Sequence, residues 1–402
     1  MTSKIGNKGM TAINIMQNLP NELKLRIFNF CDKPSLVSLA QVSHSTNFFV
    51  TRLIYSSVNL SSFPSFVSFC RAVANLPVLY TRSLYLHDPF TFIDNNEFAG
   101  LLDSLIPKLT MLESFDAENF NVFISSLVIS RLSLVSRNFS TFKCSGLVFN
   151  KDAPPQSLNL KELTFKTYDS DCNATWFFST CLLGSLETLS IPQLPPNILS
   201  TLLQSSKLSN LKNLKILDSA QSQSNDFKIM FSVFSPILHQ LESLSLEDVA
   251  LLNIGSLFTM CSNLETLVIS LIEGDIGETD FSAIVNSLPK LKSLHANHTL
   301  IPKLDLELAL QNKNSLVDLH LFDVGLEFDS RFFSLISNNC RNLVKLTLCD
   351  CDGDENVLVN SNGDDARMLL ENCSNLSSVY LSGVSRQFRE FLESSGVLDP
   401  SY

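Results

Sequence analysis

The side chains best suited to chemistry in this sequence are two histidines, His295 and His320, which lie 25 residues apart. Each follows the second apolar residue of a segment that matches, or nearly matches, the pattern Leu-x-x-Leu-x-Leu. Alternate residues of a strand point to opposite faces, so neighbouring parallel strands would place both imidazoles on one face, with the two backbones about 4.8 Å apart. Imidazoles donate and accept hydrogen bonds and bind anions when protonated. The spacing therefore predicts a polar binding patch.

Other polar and aromatic side chains of the same and later segments belong to this predicted patch. The candidate substrate-binding residues are His295, Asp318, His320, Phe322, Lys345 and Tyr380. An aromatic anchor and charge-assisted hydrogen bonds would hold a segment of a target protein, including a phosphate if the imidazoles are protonated. The alternative is a solvated sheet surface whose histidines have no role.

An acidic stretch from Asp350 to Glu355, followed by Asn360 to Asp365, invites comparison with calcium-binding loops. An EF-hand loop that starts at Asp350 needs glycine where Glu355 stands and glutamate where Ser361 stands, so this interpretation fails. We expect a solvated acidic loop at an edge of the fold, where it could touch a basic partner.

Motifs of catalysis and cofactor binding are missing from the sequence. It has no Gly-x-Ser-x-Gly elbow, no phosphate-binding loop, no His-Glu-x-x-His and no Gly-x-Gly-x-x-Gly. Its 10 cysteines include no Cys-x-x-Cys pair and no histidine partner at zinc-finger spacing. We therefore predict a non-catalytic protein with no metal site and no cofactor.

The pattern that carries the two histidines recurs along most of the chain. Well-matched copies begin at Leu160, Leu186, Leu211, Leu241, Leu264, Leu291, Leu316, Leu343 and Leu376, and weaker ones begin at Tyr55, Thr81, Leu112 and Phe139. The steps are mostly those of leucine-rich repeats, about 20–29 residues. A period of this kind predicts a solenoid in which each repeat contributes one strand and packs on its neighbours.

Segments between the strand patterns show apolar residues at helical spacing, and Asp280 and Ser330 are plausible N-caps of two of these helices. Three late copies are preceded by Cys261, Cys340 and Cys373. Free cysteine behaves as a compact hydrophobe, so these thiols are predicted to be buried packing groups rather than nucleophiles.

The N-terminal stretch has a different pattern, Leu19-Pro20-Asn21-Glu22-Leu23 followed by Ile27-Phe28. Pro20 suits the first turn of a helix, and Glu22 favours the positive end of the helix dipole. After Pro34, a second helix capped by Asp32 or Ser35 is expected, and then a third turn or helix that ends near Leu53.

Residues Ile13 to Leu60 resemble the F-box, the helical module by which substrate receptors dock onto the Skp-type adaptor of SCF ubiquitin ligases. The resemblance rests on the Leu-Pro-x-Glu-Leu-x-x-x-Ile-Phe opening, the Val-Ser near the middle and the Leu-x-Tyr-x-x-Val close, with Phe48 or Phe49 where the family usually has Trp. It implies an adaptor-binding surface drawn from the following residues, some of which must pack the module's own core: Leu19, Pro20, Glu22, Leu23, Ile27, Phe28, Val42 and Leu53. The alternative is an ordinary helical cap on the repeat array.

Composition limits the remaining possibilities. The chain of 402 residues is 45% hydrophobic and 17% charged, which is enough to build a large core. Its net charge of −11 and the absence of a Lys/Arg-rich run argue against nucleic-acid binding. Without a signal-peptide pattern or an apolar run of membrane-spanning length, we expect no membrane partner and a cytoplasmic or nuclear location.

These patterns together predict an α/β protein in four parts: a disordered N-terminus at 1–12, an F-box at 13–60, a leucine-rich-repeat solenoid at 61–385, and a C-terminal helical cap and tail at 386–402. The solenoid would be a horseshoe with parallel strands on its concave face. The copy that begins at Tyr55 would serve as both the end of the F-box and the first repeat strand. The cysteines at the late copies resemble those of the cysteine-containing repeats commonly joined to F-boxes.

The resemblance implies the substrate-recognition subunit of an SCF-type E3 ubiquitin ligase, acting in ubiquitin-dependent protein degradation. The F-box would bind the Skp-type adaptor and, through it, cullin and RING subunits, while the concave repeat face would bind a target protein. The alternatives are a non-ligase F-box scaffold or regulator, and a repeat-based enzyme inhibitor or GTPase regulator.

Overall fold

The computed structural model divides the chain into two compact units, Met1–Val148 and Phe149–Tyr402. It describes residues 19–91, 93–151, 156–169, 171–206, 208–217, 231–247, 255–270, 280–311, 313–326, 328–349, 363–382 and 386–398. The predicted disordered N-terminus and most of the acidic stretch that begins at Asp350 lie outside these ranges.

The first unit begins with three short helices: α1 (Asn21–Phe28), α2 (Lys33–Ala40) and α3 (His44–Ile54). The carboxylate of Asp32 accepts the N–H of Ser35 at 3.0 Å and caps α2, so Asp32 is the cap of the second helix and Ser35 is its bonding partner. Ser43 caps α3 in the same way by accepting the N–H of Thr46 at 3.1 Å. These caps fix where each helix begins.

A small apolar core holds the three helices together. Phe28, Leu36 and Val50 are buried at its centre, one from each helix. Leu39, Phe49 and other partly buried side chains pack around them. The N-terminal module is therefore helical and has its own core, as the sequence predicts.

Strand β1 (Ser57–Leu60) begins three residues after the end of α3. It pairs in parallel with β2 (Ser83–Asp88), and the register places Val58 opposite Leu84 and Leu60 opposite Leu86. The copy that begins at Tyr55 is therefore a strand of the sheet, in register with the copy that begins at Thr81, as predicted.

Side-chain and backbone contacts also join α3 to the start of β2. The guanidinium of Arg52 donates to the Tyr80 hydroxyl at 2.9 Å and lies 4.2 Å from the centroid of that ring. The carbonyl of Ser56 accepts the N–H groups of Arg82 at 2.8 Å and Ser83 at 3.0 Å. The helical module and the first strands thus form one packed structure.

The first unit continues as strands alternating with helices. Its remaining elements are α4 (Phe63–Ala72), α5 (Asn95–Leu105), a 3₁₀ turn (Ile106–Lys108), β3 (Ser114–Phe120), β4 (Phe123–Ser125), α6 (Ser126–Val135) and β5 (Thr141–Val148). Strands β1, β2, β3 and β5 are parallel neighbours in that order, with β4 beside β5. Leu84, Phe115 and Phe142, the second apolar residues of three weak copies, are fully buried on adjacent strands.

The second unit repeats the same arrangement over a longer stretch. Its strands are β6 (Gln156–Ser157), β7 (Glu162–Tyr168), β8 (Cys181–Leu182), β9 (Thr188–Pro192), β10 (Asn213–Leu217), β11 (Ser243–Glu247), β12 (Thr266–Ser270), β13 (Ser293–Asn297), β14 (Asp318–Phe322), β15 (Lys345–Cys349) and β16 (Ser378–Leu381). Its helices are α7 (Asp171–Thr180), α8 (Pro196–Ser206), α9 (Ser235–Leu238), α10 (Asp280–Asn286), α11 (Lys303–Leu310), α12 (Ser330–Asn339), α13 (Gly363–Asn372) and α14 (Arg386–Ser395), with a 3₁₀ turn at Gly255–Met260.

The main sheet of this unit runs in the order β7, then β9 through β16, with every pair parallel. Each strand contains the second and third apolar positions of one well-matched copy, and equivalent positions pair, as Leu294 does with Leu319 and Leu319 with Leu346. The order does not return to its start, so the sheet is open. An open parallel sheet whose strands alternate with helices fits a solenoid, and the predicted α/β fold class is confirmed.

The start of α12 differs by one residue from the prediction. Asp329 is the cap, and it accepts the N–H of Phe332 at 3.0 Å. Ser330 is instead the first helical residue, and its hydroxyl donates to Asp365 of α13 at 2.7 Å. A carboxylate is a stronger acceptor than a hydroxyl for the positive end of a helix, which explains the one-residue shift.

The start of α10 is capped from outside the helix. Asp280 is its first residue, and the carboxylate of Asp305 on α11 accepts the N–H groups of Phe281 at 3.0 Å and Ser282 at 3.1 Å. Asp305 is fully buried, so the carboxylate of one repeat completes the helix of the repeat before it. Asp280 is therefore the first helical residue and not the predicted N-cap, and the carboxylate that accepts the N–H groups is that of Asp305.

The cysteines that precede three late copies are buried, as predicted. Burial raises the pKa of Cys261 and Cys340 to about 12 and that of Cys373 to about 11. These thiols are protonated packing groups at neutral pH.

The last helix, α14, packs on the end of the second unit. Phe388 and Leu392 are buried, and the ring of Phe388 lies 4.8 Å from that of Phe333 on α12. After the helix, the carbonyl of Val397 accepts the N–H of Val379 at 2.8 Å. Among the described helices of both units, none has the length and apolarity that a membrane span requires.

Candidate protein-interaction sites

The N-terminal helices carry a set of exposed apolar side chains that we call the helical set. It comprises Leu23 (44% exposed), Ile27 (40%), Phe30 (92%), Val37 (47%) and Val42 (51%). Leu23 and Ile27 lie one turn apart on the same face of α1. So many exposed large apolar side chains in one short module are typical of a protein-interaction surface.

The structure separates the predicted adaptor-binding residues into a first group outside the helical core and a second group that packs in or against that core. Leu23, Ile27 and Val42 belong to the helical set, Pro20 is exposed ahead of α1 and Leu19 is half-buried. Glu22 lies within α1.

Phe28 and Leu53 belong to the second group. Phe28 is only 2% exposed at the centre of the helical core, and Leu53 packs against that core. Their role in this structure is to hold the module together. Two apolar residues that the sequence patterns did not indicate, Phe30 and Val37, are exposed. Phe30 lies two residues after the end of α1, and Val37 follows the buried Leu36 in α2.

The predicted patch on the sheet lies where strands β13, β14 and β15 run side by side. His295 and His320 are register partners, and their ring centroids are 5.2 Å apart at an angle of 35°. The ring of His320 is in turn nearly parallel to that of Phe322, at 6.2 Å and 15°. The repeat register thus brings together three of the six predicted residues as adjacent rings.

A fourth ring extends this surface, and the sequence had not indicated it. His298 follows β13, and its ring meets that of Phe322 edge to face at 5.1 Å. We call these four rings, of His295, His298, His320 and Phe322, the aromatic platform. The residues on the strands are half-buried and His298 is exposed.

Two carboxylates border the aromatic platform. Asp318 Oδ2 lies 3.2 Å from Nε2 of His295, and Asp323 Oδ2 lies 2.9 Å from Nδ1 of His298. Their side chains remain 29% and 30% exposed, so both carboxylates can still meet a partner. Lys345 is the register partner of Asp318 on the next strand and is exposed.

Burial and neighbouring charges set the protonation of this surface. Burial lowers the pKa of His320 below its ordinary value of 6.5, and the neighbouring His295 lowers it further, against the opposing pull of Asp318. Burial tends to raise the pKa of Asp318, yet its hydrogen bond to His295 and the charges of His295, Lys345 and His320 bring it below 3.8. At neutral pH, His320 is therefore mostly uncharged and Asp318 is ionised, which disfavours the phosphate hypothesis.

Tyr380, the last predicted residue, lies farther away. It shares a row with His320 and Thr347, but it is on β16, two strands from β14. At about 4.8 Å per strand, it lies at the border of the patch rather than within it.

Charged side chains before and within the earlier strands pair with one another. Lys161 bonds Glu187 at 3.0 Å, Lys212 bonds Glu242 at 2.9 Å, Lys292 bonds Glu265 at 2.8 Å and Lys215 bonds Glu247 at 2.7 Å. The column from Lys161 to Lys292, which holds three lysines and three glutamates, continues with Val317 and Val344, the residues just before β14 and β15. The earlier strands therefore present a self-neutralised surface, in contrast to the platform.

Across the described ranges, no three His, Cys, Asp or Glu side chains are placed to hold a metal ion. The platform histidines are held by carboxylates and by ring contacts instead. What this arrangement offers is a binding surface built from rings and carboxylates.

Comparison with known families identifies the N-terminal module. Residues 16–56 match the F-box domain, the module that binds Skp-type adaptors. The matched residues contain α1 to α3 and stop one residue before β1. The chain thus carries a domain of F-box-mediated protein interaction. No curated protein matches the sequence.

Proposed function

We propose that the protein is the substrate-recognition subunit of an SCF-type E3 ubiquitin ligase. The F-box binds the Skp-type adaptor and thereby cullin and RING subunits, and the strand face of the second unit, which we regard as a leucine-rich-repeat array, binds a target protein. The observation that carries this proposal is the helical set, because it exposes Leu23, Ile27 and Val42 of the matched F-box to a partner.

The chain has no need of catalytic groups in this role. It raises the effective concentration of target lysines near the ubiquitin donor, and the chemistry belongs to other subunits. The protein would act in ubiquitin-dependent degradation in the cytoplasm, the nucleus or both. The strand face supports target binding through the aromatic platform, where rings and ionised groups are grouped and half-exposed.

Adaptor binding is tested with the full chain co-expressed with a Skp-type adaptor. The double variant Leu23→Asp, Ile27→Asp places two charges in the helical set without touching the Phe28, Leu36 and Val50 core. Loss of two apolar contacts weakens adaptor binding by at least about a hundredfold, measured by calorimetry.

The matched control is Leu304→Asp, which charges a 67% exposed leucine on α11, away from the F-box. It should bind the adaptor like the wild type. An intact chain that fails to bind any Skp-type adaptor, or a double variant that binds normally, would refute the proposal. Recovery of the adaptor without cullin from cells would instead indicate the non-ligase scaffold.

A further inference from the structure

We propose that the aromatic platform receives an arginine side chain of the target protein, held against the His320 and Phe322 rings and attracted by the carboxylates of Asp318 and Asp323 at the two ends of β14. This inference rests on the proposed function for the identity of the ligand as a target protein. It adds the feature by which the target is recognised, an arginine in a segment that is otherwise apolar or uncharged.

Ring geometry is the first support. The rings of His320 and Phe322 are within 15° of parallel, and His295 and His298 extend the surface on the β13 side. A flat guanidinium stacks on such faces, and its attraction to an aromatic ring increases where water is partly excluded. The half-buried state of the platform strands provides that environment.

Charge is the second support. Asp318, Asp323 and Lys345 carry charges beside the rings, and burial lowers the pKa of His320, which favours its uncharged form. Two carboxylates face one ammonium, and each carboxylate retains oxygen capacity beyond its bond to a histidine. Arginine satisfies carboxylate oxygens in a fixed fork while it stacks, whereas a phosphate would meet two like charges.

Position along the sheet is the third support. Lys and Glu side chains on earlier strands of this unit already pair across the strands, for example Lys215 with Glu247. An incoming cation there would have to displace a lysine. At the platform, the hydrogen-bonded partners of Asp318 and Asp323 are imidazole nitrogens of His295 and His298 rather than lysine ammonium groups.

The test uses the full chain bound to its adaptor, with histidines labelled by ¹³C and read by NMR. Three peptides of identical length and flanks, Leu-Val-x-Val-Leu, carry arginine, citrulline or phosphoserine at the centre. Citrulline has the shape of arginine without its charge. The arginine peptide should shift the platform imidazole signals and bind at least about tenfold more tightly than either of the others.

Variants then assign the effect to named groups. Asp318→Asn and Asp323→Asn each reduce the arginine preference about threefold to thirtyfold, since each removes one charged acceptor. Asparagine tolerates the positive φ of 53° at Asp323, so this substitution preserves the backbone. Glu247→Gln is the matched control, because its carboxylate is 35% exposed on the same sheet and already paired with Lys215. This control should leave arginine binding unchanged.

The variant Lys345→Gln should bind more tightly, a result that misfolding would not produce. Removal of this ammonium leaves Asp318 without its competing cation, so the arginine peptide should bind about twofold to tenfold more tightly. Loss of binding in this variant would contradict the proposed charge balance.

Acidification supplies an independent measurement. Burial holds the pKa of His320 below 6.5, so acidification protonates this ring and adds positive charge beside Asp318, Asp323 and Lys345; arginine affinity should fall as the pH is lowered from 7.5 to 5.5. Binding should correspondingly release protons. An affinity that rises on acidification would overturn the proposal.

Equal binding of arginine and citrulline peptides, stronger binding of phosphoserine, or no binding of the arginine peptide at millimolar concentration would each overturn this inference. Adaptor binding is measured in the same samples. If the adaptor binds and the arginine preference is absent, the inference fails while the proposed function stands. If the adaptor does not bind, the proposed function fails as well.

Discussion

At the scale of single residues, the buried thiols show how the interior determines reactivity. A thiol reacts as its thiolate, and a pKa of about 11 to 12 leaves fewer than about one in a thousand ionised at pH 8. Cys261, Cys340 and Cys373 should therefore resist iodoacetamide in the native protein and react after unfolding in urea. Mass spectrometry of the alkylated peptides measures this difference.

The half-exposed Cys31 of the F-box is the comparison site in the same experiment. It should be alkylated at least about tenfold faster than the buried thiols in the native protein. Alkylation of Cys340 at the rate of Cys31 would contradict the buried, protonated state that we describe.

Single residues also show where sequence patterns stop being informative. His295 and His320 could be paired in advance because both occupy one fixed position of a repeating strand. His298 and Asp323 follow the strands, at φ of 49° and 53°, and no strand periodicity extends to them. One of the two His–Asp pairs at the platform, His298 with Asp323, therefore depends on turn conformations that the strand pattern does not predict.

At the scale of elements, helices of neighbouring repeats complete one another. The contact of Asp305 with the first N–H groups of α10 predicts that Asp305→Ala lowers the free energy of unfolding by about 1–3 kcal/mol, since two buried donors lose a charged acceptor. Hydrogen exchange at Phe281 and Ser282 should accelerate more than in distant helices. Urea denaturation and exchange measured by NMR check both effects.

Glu307→Gln provides the control on the same helix α11. Its side chain is half-buried two residues after Asp305, and the change removes a charge without removing a cap. We expect a change in unfolding free energy within about 0.5 kcal/mol. Similar losses in both variants would show that the capping contact is not what stabilises α10.

Elements were predictable to different degrees for a physical reason. The strands repeat with a fixed apolar pattern, so each copy from Tyr55 to Phe139 in the first unit and from Leu160 to Leu376 in the second corresponds to a strand. Helix starts depend on which acceptor lies nearest the free N–H groups, and that acceptor can come from another repeat, as Asp305 does. Local sequence therefore locates this helix start near Asp280, but it assigns the cap to Asp280 and does not reveal that Asp305 supplies the accepting carboxylate.

At the scale of the whole molecule, carboxylates with lowered pKa should determine the response to acid. The pKa of Asp88 is lowered mainly by the hydrogen bond from the N–H of Phe63. Burial tends to raise the pKa of Asp329, but its bonds to Lys303 and to the N–H of Phe332 outweigh this effect and lower the pKa. A pKa below 3.8 in the folded state means that these groups stabilise the protein above that pH and lose their contribution as the pH falls through the folded values. Stability should thus fall below about pH 4.

Urea midpoints at pH 7, 5 and 3 measure this dependence. Asp88→Asn should be less stable than the wild type at pH 7, and the difference should shrink toward pH 3, where the wild-type carboxylate is increasingly protonated. A stability difference that stays constant from pH 7 to pH 3 would show that the Asp88 charge does not contribute.

The continuity of α3 with β1 also decides where this chain can be cut and rejoined. The F-box match ends at residue 56, yet the Ser56 carbonyl and the Arg52 side chain are bonded to the segment that leads into β2. A hybrid joined at residue 56 would have to rebuild those bonds with foreign atoms. A graft that continues through the end of β2 includes Tyr80, Arg82 and Ser83 and would keep these bonds. The segment that can be exchanged intact is therefore longer than the F-box.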